Sequence, residues 1–233
     1  MTARSQPVVP GWPDAIVFDL DGTIADTAAD IQHALNLVLQ AAELGQFDVD
    51  TVKIMVGAGP KELVRRALSR LGVATETDTV SRLAAAFEGE YRAHGNTLTT
   101  LFDDVENCLG QLADYQIRMG VCSNKPDKLC RPLLSDLGSL GYFSAVQGYG
   151  SGLPKKPDPQ PLLATLKSLG ASPERALYVG DSETDVQTAR AAGVPVAVVS
   201  HGYTVTPASE LGADWVLTKL AELPALCTHS KLA

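Results

Sequence analysis

The chain has 233 residues, 45% of them hydrophobic and 20% charged, which excludes a disordered polymer and suits one core domain with a smaller companion. Its 27 acidic residues outnumber 19 basic ones, and a formal net charge of -8 argues against a dominant nucleic-acid surface, leaving room only for a local basic patch. Such a protein binds an anion only through a few well-placed cations or a metal ion.

Residues 1–12 read as a loose tail: they carry no signal-peptide pattern, and no apolar run in the chain is long enough to cross a bilayer. AIVFDL at 15–20 predicts the first strand. Helical periodicity follows, with one apolar and one charged face at 28–43, 61–71 and 80–91, separated by turn-rich links such as GAGP at 57–60. No strand pattern stands out between Asp26 and Thr100. After Phe102 the texture alternates. A helix is expected at 105–114, a strand at 117–123, and a helix at 126–137 with Pro126 in its first turn. A short strand at 145–148 follows, then a helix opened by Asp158-Pro159, a strand at 176–180, a helix at 183–192 and strands at 194–200 and 214–218. The tail after Pro224 shows no chemistry. This alternation predicts an α/β fold, a doubly wound, mostly parallel sheet, in two parts: a core from 1–25 and 101–233, and a small helical insertion at 26–100.

Cys108, Cys122, Cys130 and Cys227 form no CxxC pair and no zinc-like spacing with histidine, so they read as thiols of a reducing, cytoplasmic compartment. Trp12 and Trp215 read as packing residues. The four histidines are scattered and show no catalytic partner.

Ligands of open parallel sheets sit beyond the carboxyl ends of the strands. Four polar clusters fall there: Asp19 with Asp21, Ser123 with Asn124, Lys155 with Lys156, and Asp181 with Asp185. Taken singly, an Asp-Gly turn or a helix-capping Asp181 explains each acidic cluster. Caps and turns do not explain why all four fall at the same sheet edge. Asp19, Asp21 and Asp181 concentrate negative charge that needs a counter-charge, and a hard, oxygen-liganded cation such as Mg²⁺ supplies it.

DLDGT at 19–23, Ser123 after MGVC, Lys156 in KKPDP and GDSETD at 180–185 resemble, in order, the four signatures of the haloacid dehalogenase-like superfamily of phosphohydrolases. The insertion is similar to that family's small helical cap, with hinges near 25–27 and 99–102. The resemblance implies Asp19 as nucleophile forming an aspartyl-phosphate, and Asp21 as acid and then base. It implies Mg²⁺ on the Asp19 side chain, the Asp21 carbonyl and Asp181, with Asp185 supporting. Thr23, Ser123, Asn124 and Lys156 are then expected at the phosphate or substrate. An Asp at position 21 favours phosphate esters over carbon–halogen cleavage.

Some assignments stay open. Thr23 either bonds within its loop or ends the turn. Asn124 and Lys125 either touch substrate or cap the next helix and stay solvated. Lys155, Arg65 and Arg66 are expected at the surface. GTIADTAADI, VGAG, SNKP and HGY resemble the phosphoglycolate phosphatase branch of the family, which implies 2-phosphoglycolate as substrate and an approach of the loop 56–59 to the site. Alternatives are a phosphatase or phosphomutase for a sugar phosphate, a phosphonatase using cap lysine Lys53 or Lys61, and a non-catalytic binder of phosphorylated metabolites. The expected partner is a small anionic phosphorylated metabolite, not a nucleic acid or a membrane, bound by a monomer or homodimer.

Overall fold

A computed structural model describes residues 12–228, so most of the expected tail, and His229, lie outside the described residues. Strand β1 (Ala15–Phe18) is fully buried, as an unbroken apolar run inside a parallel sheet covered on both faces must be. Its neighbours are β4 (Arg118–Pro126) and β6 (Ala176–Gly180), flanked in turn by β5 (Phe143–Tyr149) on one side and β7 (Val196–Val199) and β8 (Trp215–Leu217) on the other. The order is β5-β4-β1-β6-β7-β8, with every pairing parallel.

Alternate residues of β1 serve opposite faces. Ile16 and Phe18 pack with α5 (Val105–Asp114), α6 (Asp127–Asp136) and α9 (Leu223–Thr228). Ala15 and Val17 pack with α7 (Gln160–Leu169) and α8 (Glu183–Ala192). The doubly wound α/β fold expected from the alternation is therefore present. Rings of Trp12 and Trp215 lie 5.6 Å apart, in a packing role. All four cysteines are buried thiols. No helix among the described residues is long and apolar enough to cross a membrane.

The insertion holds α1 (Ala28–Ala41), α2 (Val49–Lys53), α3 (Pro60–Arg70) and α4 (Thr77–His94), whose apolar faces form a second core with Leu129 of α6 packed beneath. Its two connections pair as β2 (Ala25–Asp26) and β3 (Thr100–Leu101), antiparallel. Two-residue strands carry no periodicity, so neither this pair nor the five-residue α2 was legible in the sequence. Pro126 ends β4 rather than opening α6: its ψ of 131° is extended, and its fixed φ suits a strand end as well as a first helical turn.

Candidate active site

The registers place the chemistry. Phe18 pairs with Val121 on one side and Val179 on the other, so Asp19, Ser123 and Asp181 emerge side by side where the chain order of the sheet reverses. The Asp19 amide donates to the Val179 carbonyl at 2.8 Å, fixing the turn beyond β1.

Asp19, Asp181 and Asp185 are all buried, and each offers an oxygen within 4.8 Å of the others. Lys156 is the cation among them. Its Nζ donates to Asp185 Oδ1 at 2.6 Å and Tyr178 Oη at 2.8 Å, and lies 3.0 Å from Asp19 Oδ1 as an ion pair. That Asp19 oxygen still lacks a directed hydrogen bond.

Asp185 has the opposite surroundings. Asp185 is Ser182's partner in a capping box at the start of α8 and also accepts from the Asp181 amide, Tyr178 and Lys156. Its oxygens are saturated.

The protonation energetics follow this division. Burial, reinforced by Asp185 and Asp21, pushes Asp19 up to about 6 despite Lys156. Burial, with Asp185 and Asp19 nearby, pushes Asp181 well above the carboxylate range. Burial also opposes the charge of Asp185, but Lys156 and the Ser182 bonds hold its carboxyl below the usual range. Burial disfavours charge on Lys156 too, and Asp185 and Asp19 overcome it, keeping the ammonium protonated. A buried Asp19 oxygen met by the Lys156 ammonium only as an ion pair, and two carboxyls whose charge is opposed by burial and by neighbouring acids, fit a divalent cation with oxygen ligands.

Glycines make room for Asp181. At Gly22, with φ +86°, a Cβ would sit 2.7 Å from Asp181 Oδ2; at Gly202 it would fall 2.1 Å from Asp181 Cβ. Asp181 Oδ2 accepts from the Tyr203 amide at 2.8 Å, and Oδ1 from the Thr23 hydroxyl at 3.2 Å. Thr23 is fully buried, its hydroxyl committed to Asp181 and not to the cleft where a phosphate would lie.

A narrow cleft, with a cavity volume of about 40 Å³, lies between the sheet edge and the insertion. Asp19, Asp21, Ser123, Asn124 and Lys125 line its floor. The loop 56–59 closes one side, as expected, through Val56, Gly57 and Gly59. Asn124 is no helix cap: its Nδ2 donates to the Gly57 and Lys156 carbonyls, and its Oδ1 accepts from the Lys156 amide. It ties the second signature to the third and to the insertion.

Lys125 is buried, not solvated, with Nζ 2.9 Å from both Asp21 Oδ1 and Tyr91 Oη. Lys155 is half-buried, not free in solvent: it covers the Tyr149 ring and donates to the Ala58 carbonyl. Arg65 is exposed beside Glu62, and Arg66 binds Glu62 and the Met55 carbonyl. Lys53 and Lys61 do not line this cleft.

Two contributors escaped the sequence reading. Tyr203 Oη accepts from the Thr27 and Ala28 amides at 2.8 and 3.1 Å and donates to Asp26, satisfying the start of α1, where Thr27 supplies no side-chain cap. Its HGY run entered only through the family resemblance, and its place past the end of β7 gave no hint of this contact. Tyr91 read as helix core, because its spacing from Phe87 says nothing about its hydroxyl. His201, held to the Thr23 carbonyl and against Phe102, braces the same junction.

A family model described as haloacid dehalogenase-like hydrolase matches residues 16–199. The chain belongs to that family and is a phosphoric monoester hydrolase. It is 42% identical over 216 residues to a phosphoglycolate phosphatase of Rhodospirillum rubrum, covering 91% of this chain and 89% of the relative. It is 35% identical over 212 residues to a phosphoglycolate phosphatase of Caulobacter vibrioides, covering 91% and 90%. A crystal structure from Haemophilus somnus, described as that of a predicted phosphoglycolate phosphatase, superposes with a TM-score of 0.84 at 26% identity, covering 92% of this chain and 97% of the other.

Proposed function

We propose that this chain hydrolyses 2-phosphoglycolate to glycolate and phosphate, with Mg²⁺ and through an aspartyl-phosphate on Asp19. The observation that carries this reading is the under-satisfied Asp19 carboxylate beside Asp181 and Lys156, at the floor of a cleft the insertion covers. The names of the relatives support the substrate.

Asp19 and Asp181, with the Asp21 carbonyl, would hold the cation; Asp185, already saturated, supports the set through Lys156 and the Asp181 amide. When bound, the ion neutralises the carboxylates and a phosphoryl oxygen. The chain's own residues carry the steps. A carboxylate oxygen of Asp19 attacks phosphorus, and the bond to the ester oxygen breaks. Asp21 gives its proton to the departing oxygen. Ser123 donates to a phosphoryl oxygen, and Lys156 balances charge on nucleophile and phosphate. Asp21, now a carboxylate, takes a proton from water as that water attacks phosphorus, releasing phosphate and restoring Asp19.

Residues 26–100 act as a cap that opens and closes about the β2–β3 pair to admit substrate and exclude bulk water. The enzyme works in the cytoplasm, in keeping with its unbridged thiols, as a monomer or homodimer.

The test is kcat/KM for 2-phosphoglycolate, small sugar phosphates and pyrophosphate, with and without Mg²⁺. Phosphoglycolate should lead, and only with the metal. A preference for a hexose phosphate overturns the substrate, and no turnover of any ester overturns the enzyme.

A further inference from the structure

We infer that the Lys125 ammonium and the Tyr91 hydroxyl form the receptor for a carboxylate on the leaving group, making them the residues that select a short phosphorylated acid over an uncharged ester. The inference rests on the reading of Asp19 and Asp21 as nucleophile and acid.

Lys125 is the one cation among the described residues lining the cleft. Its ammonium has three N–H donors. Asp21 Oδ1 and Tyr91 Oη take two, and no third acceptor is present among the described residues. Its side chain is only 4% exposed, so the charge is held without much water around it. A cation with spare donor capacity, stripped of water and facing a cleft, is suited to an anion.

Position fixes where that anion sits. Asp21 must reach the ester oxygen to protonate it. Lys125 Nζ is 2.9 Å from the Asp21 carboxylate. A group held by Lys125 is therefore attached to the leaving group only one or two carbons from the ester oxygen. A carboxylate on the adjacent carbon meets that requirement.

The rest of the cleft favours the same chemistry. The insertion presents Ile31, Leu63 and Phe87 to it, and Tyr91 alone among its lining residues carries a polar side chain. Asn124 has three of its hydrogen bonds committed to backbone. A sugar's ring of hydroxyls would bury most of them without partners, at a cost per group comparable to a lost hydrogen bond. A two-carbon acid has one polar group beyond the ester, and one place to put it.

Lys125 comes from β4 and Tyr91 from α4, so the receptor is complete only with the insertion seated on the sheet edge. The acid that protonates the leaving oxygen and the group that recognises the leaving acid are thus direct neighbours.

The experiment compares 2-phosphoglycolate with ethyl phosphate, which has the same two carbons and no carboxylate, in the wild-type protein, Lys125→Met and Tyr91→Phe with Mg²⁺. The quantity read is the ratio of kcat/KM for the two esters, because damage to Asp21 chemistry lowers both. Wild type should prefer the acid on the order of 30-fold or more, the size of a buried charge contact. Lys125→Met should bring the ratio close to one. Tyr91→Phe keeps the ring and should lower it by about 3- to 10-fold.

Equal losses on both esters in Lys125→Met overturn the inference and leave the phosphatase reading standing. Should that variant not fold, an unchanged ratio in Tyr91→Phe overturns it alone. A wild-type protein that hydrolyses both esters equally well also overturns it. Turnover of neither ester overturns the underlying reading, and this inference with it.

Discussion

The α/β unit and the helical insertion bury polar groups in different ways. Around the end of β6, Tyr178, Asp181, Ser182 and Asp185 are linked to one another and to Lys156 from the loop before α7. The insertion has an apolar core of its own and meets the site at few polar points: Tyr91 on Lys125, the Gly57 carbonyl on Asn124, and the start of α1 on Tyr203. One region is a dense polar frame. The other packs around its own apolar core and reaches the site through those few contacts, an arrangement that suits the cap motion proposed above.

The largest expected effect lies in the frame. Asp19→Asn should lower kcat by about 10⁴-fold or more, as loss of a nucleophile does, with the fold retained. Circular dichroism and phosphate release check both, and near wild-type turnover would remove Asp19 from the mechanism. Next, Asp21→Asn should lower kcat/KM, which reports the transfer step, by about 10²- to 10⁴-fold on alkyl phosphates and clearly less on aryl phosphates, whose oxygens leave without help. Equal penalties would end its role as proton donor.

A third variant sharpens the contrast between regions. Tyr203→Phe leaves the first amides of α1 without their acceptor and should destabilise that junction by about 1–3 kcal/mol. Hydrogen exchange should show α1 and α4 losing protection while β1 and β6 keep theirs. Uniform loss would mean that the two regions unfold as one.

The metal response should depend on pH. Burial raises the folded-state pKa of Asp19 to about 6 and moves that of Asp181 the same way. A raised folded-state pKa favours the fold below the unfolded value, near 4, and that contribution is lost as pH rises through about 6. The metal-free protein is therefore weakened at its site between those limits, where Mg²⁺ also meets less competition from protons. The Tm increment from Mg²⁺ should grow from pH 5 to pH 8, and a constant or shrinking increment would contradict the site. The smallest effect belongs to the outer face of the insertion. Glu62→Gln, which breaks partly exposed pairs with Arg65 and Arg66, should change stability by no more than about 0.5 kcal/mol.

These regions also differed in how well the sequence disclosed them. The positions of Asp19 and Asp181 just past β1 and β6 follow from apolar runs that stop at a polar residue, and a parallel sheet brings such ends together; Ser123 follows an apolar run too, but lies inside β4, which continues irregularly to Pro126. Helices of the insertion show in their periodicity. What joins the regions does not show. Lys125 is a charged residue beside a proline, in the irregular end of β4, and only its contact with Tyr91 of α4 reveals that it is buried. Tyr203 lies 176 residues from the amide it accepts from, and no local pattern encodes that distance. Thr23 belongs to the signature, yet its bond to Asp181 depends on the register of β1 and β6. Long-range polar contacts of single side chains are the part of a site that pattern alone leaves dark.

The most direct test of the account is where the phosphoryl group goes. Asp21→Asn, given an aryl phosphate and Mg²⁺, should still transfer it but be slow to release it, so acid-quenched peptide mass spectrometry should find one phosphoryl group on Asp19. A phosphoryl group on any other residue, or a protein that turns over without ever carrying one, would contradict it.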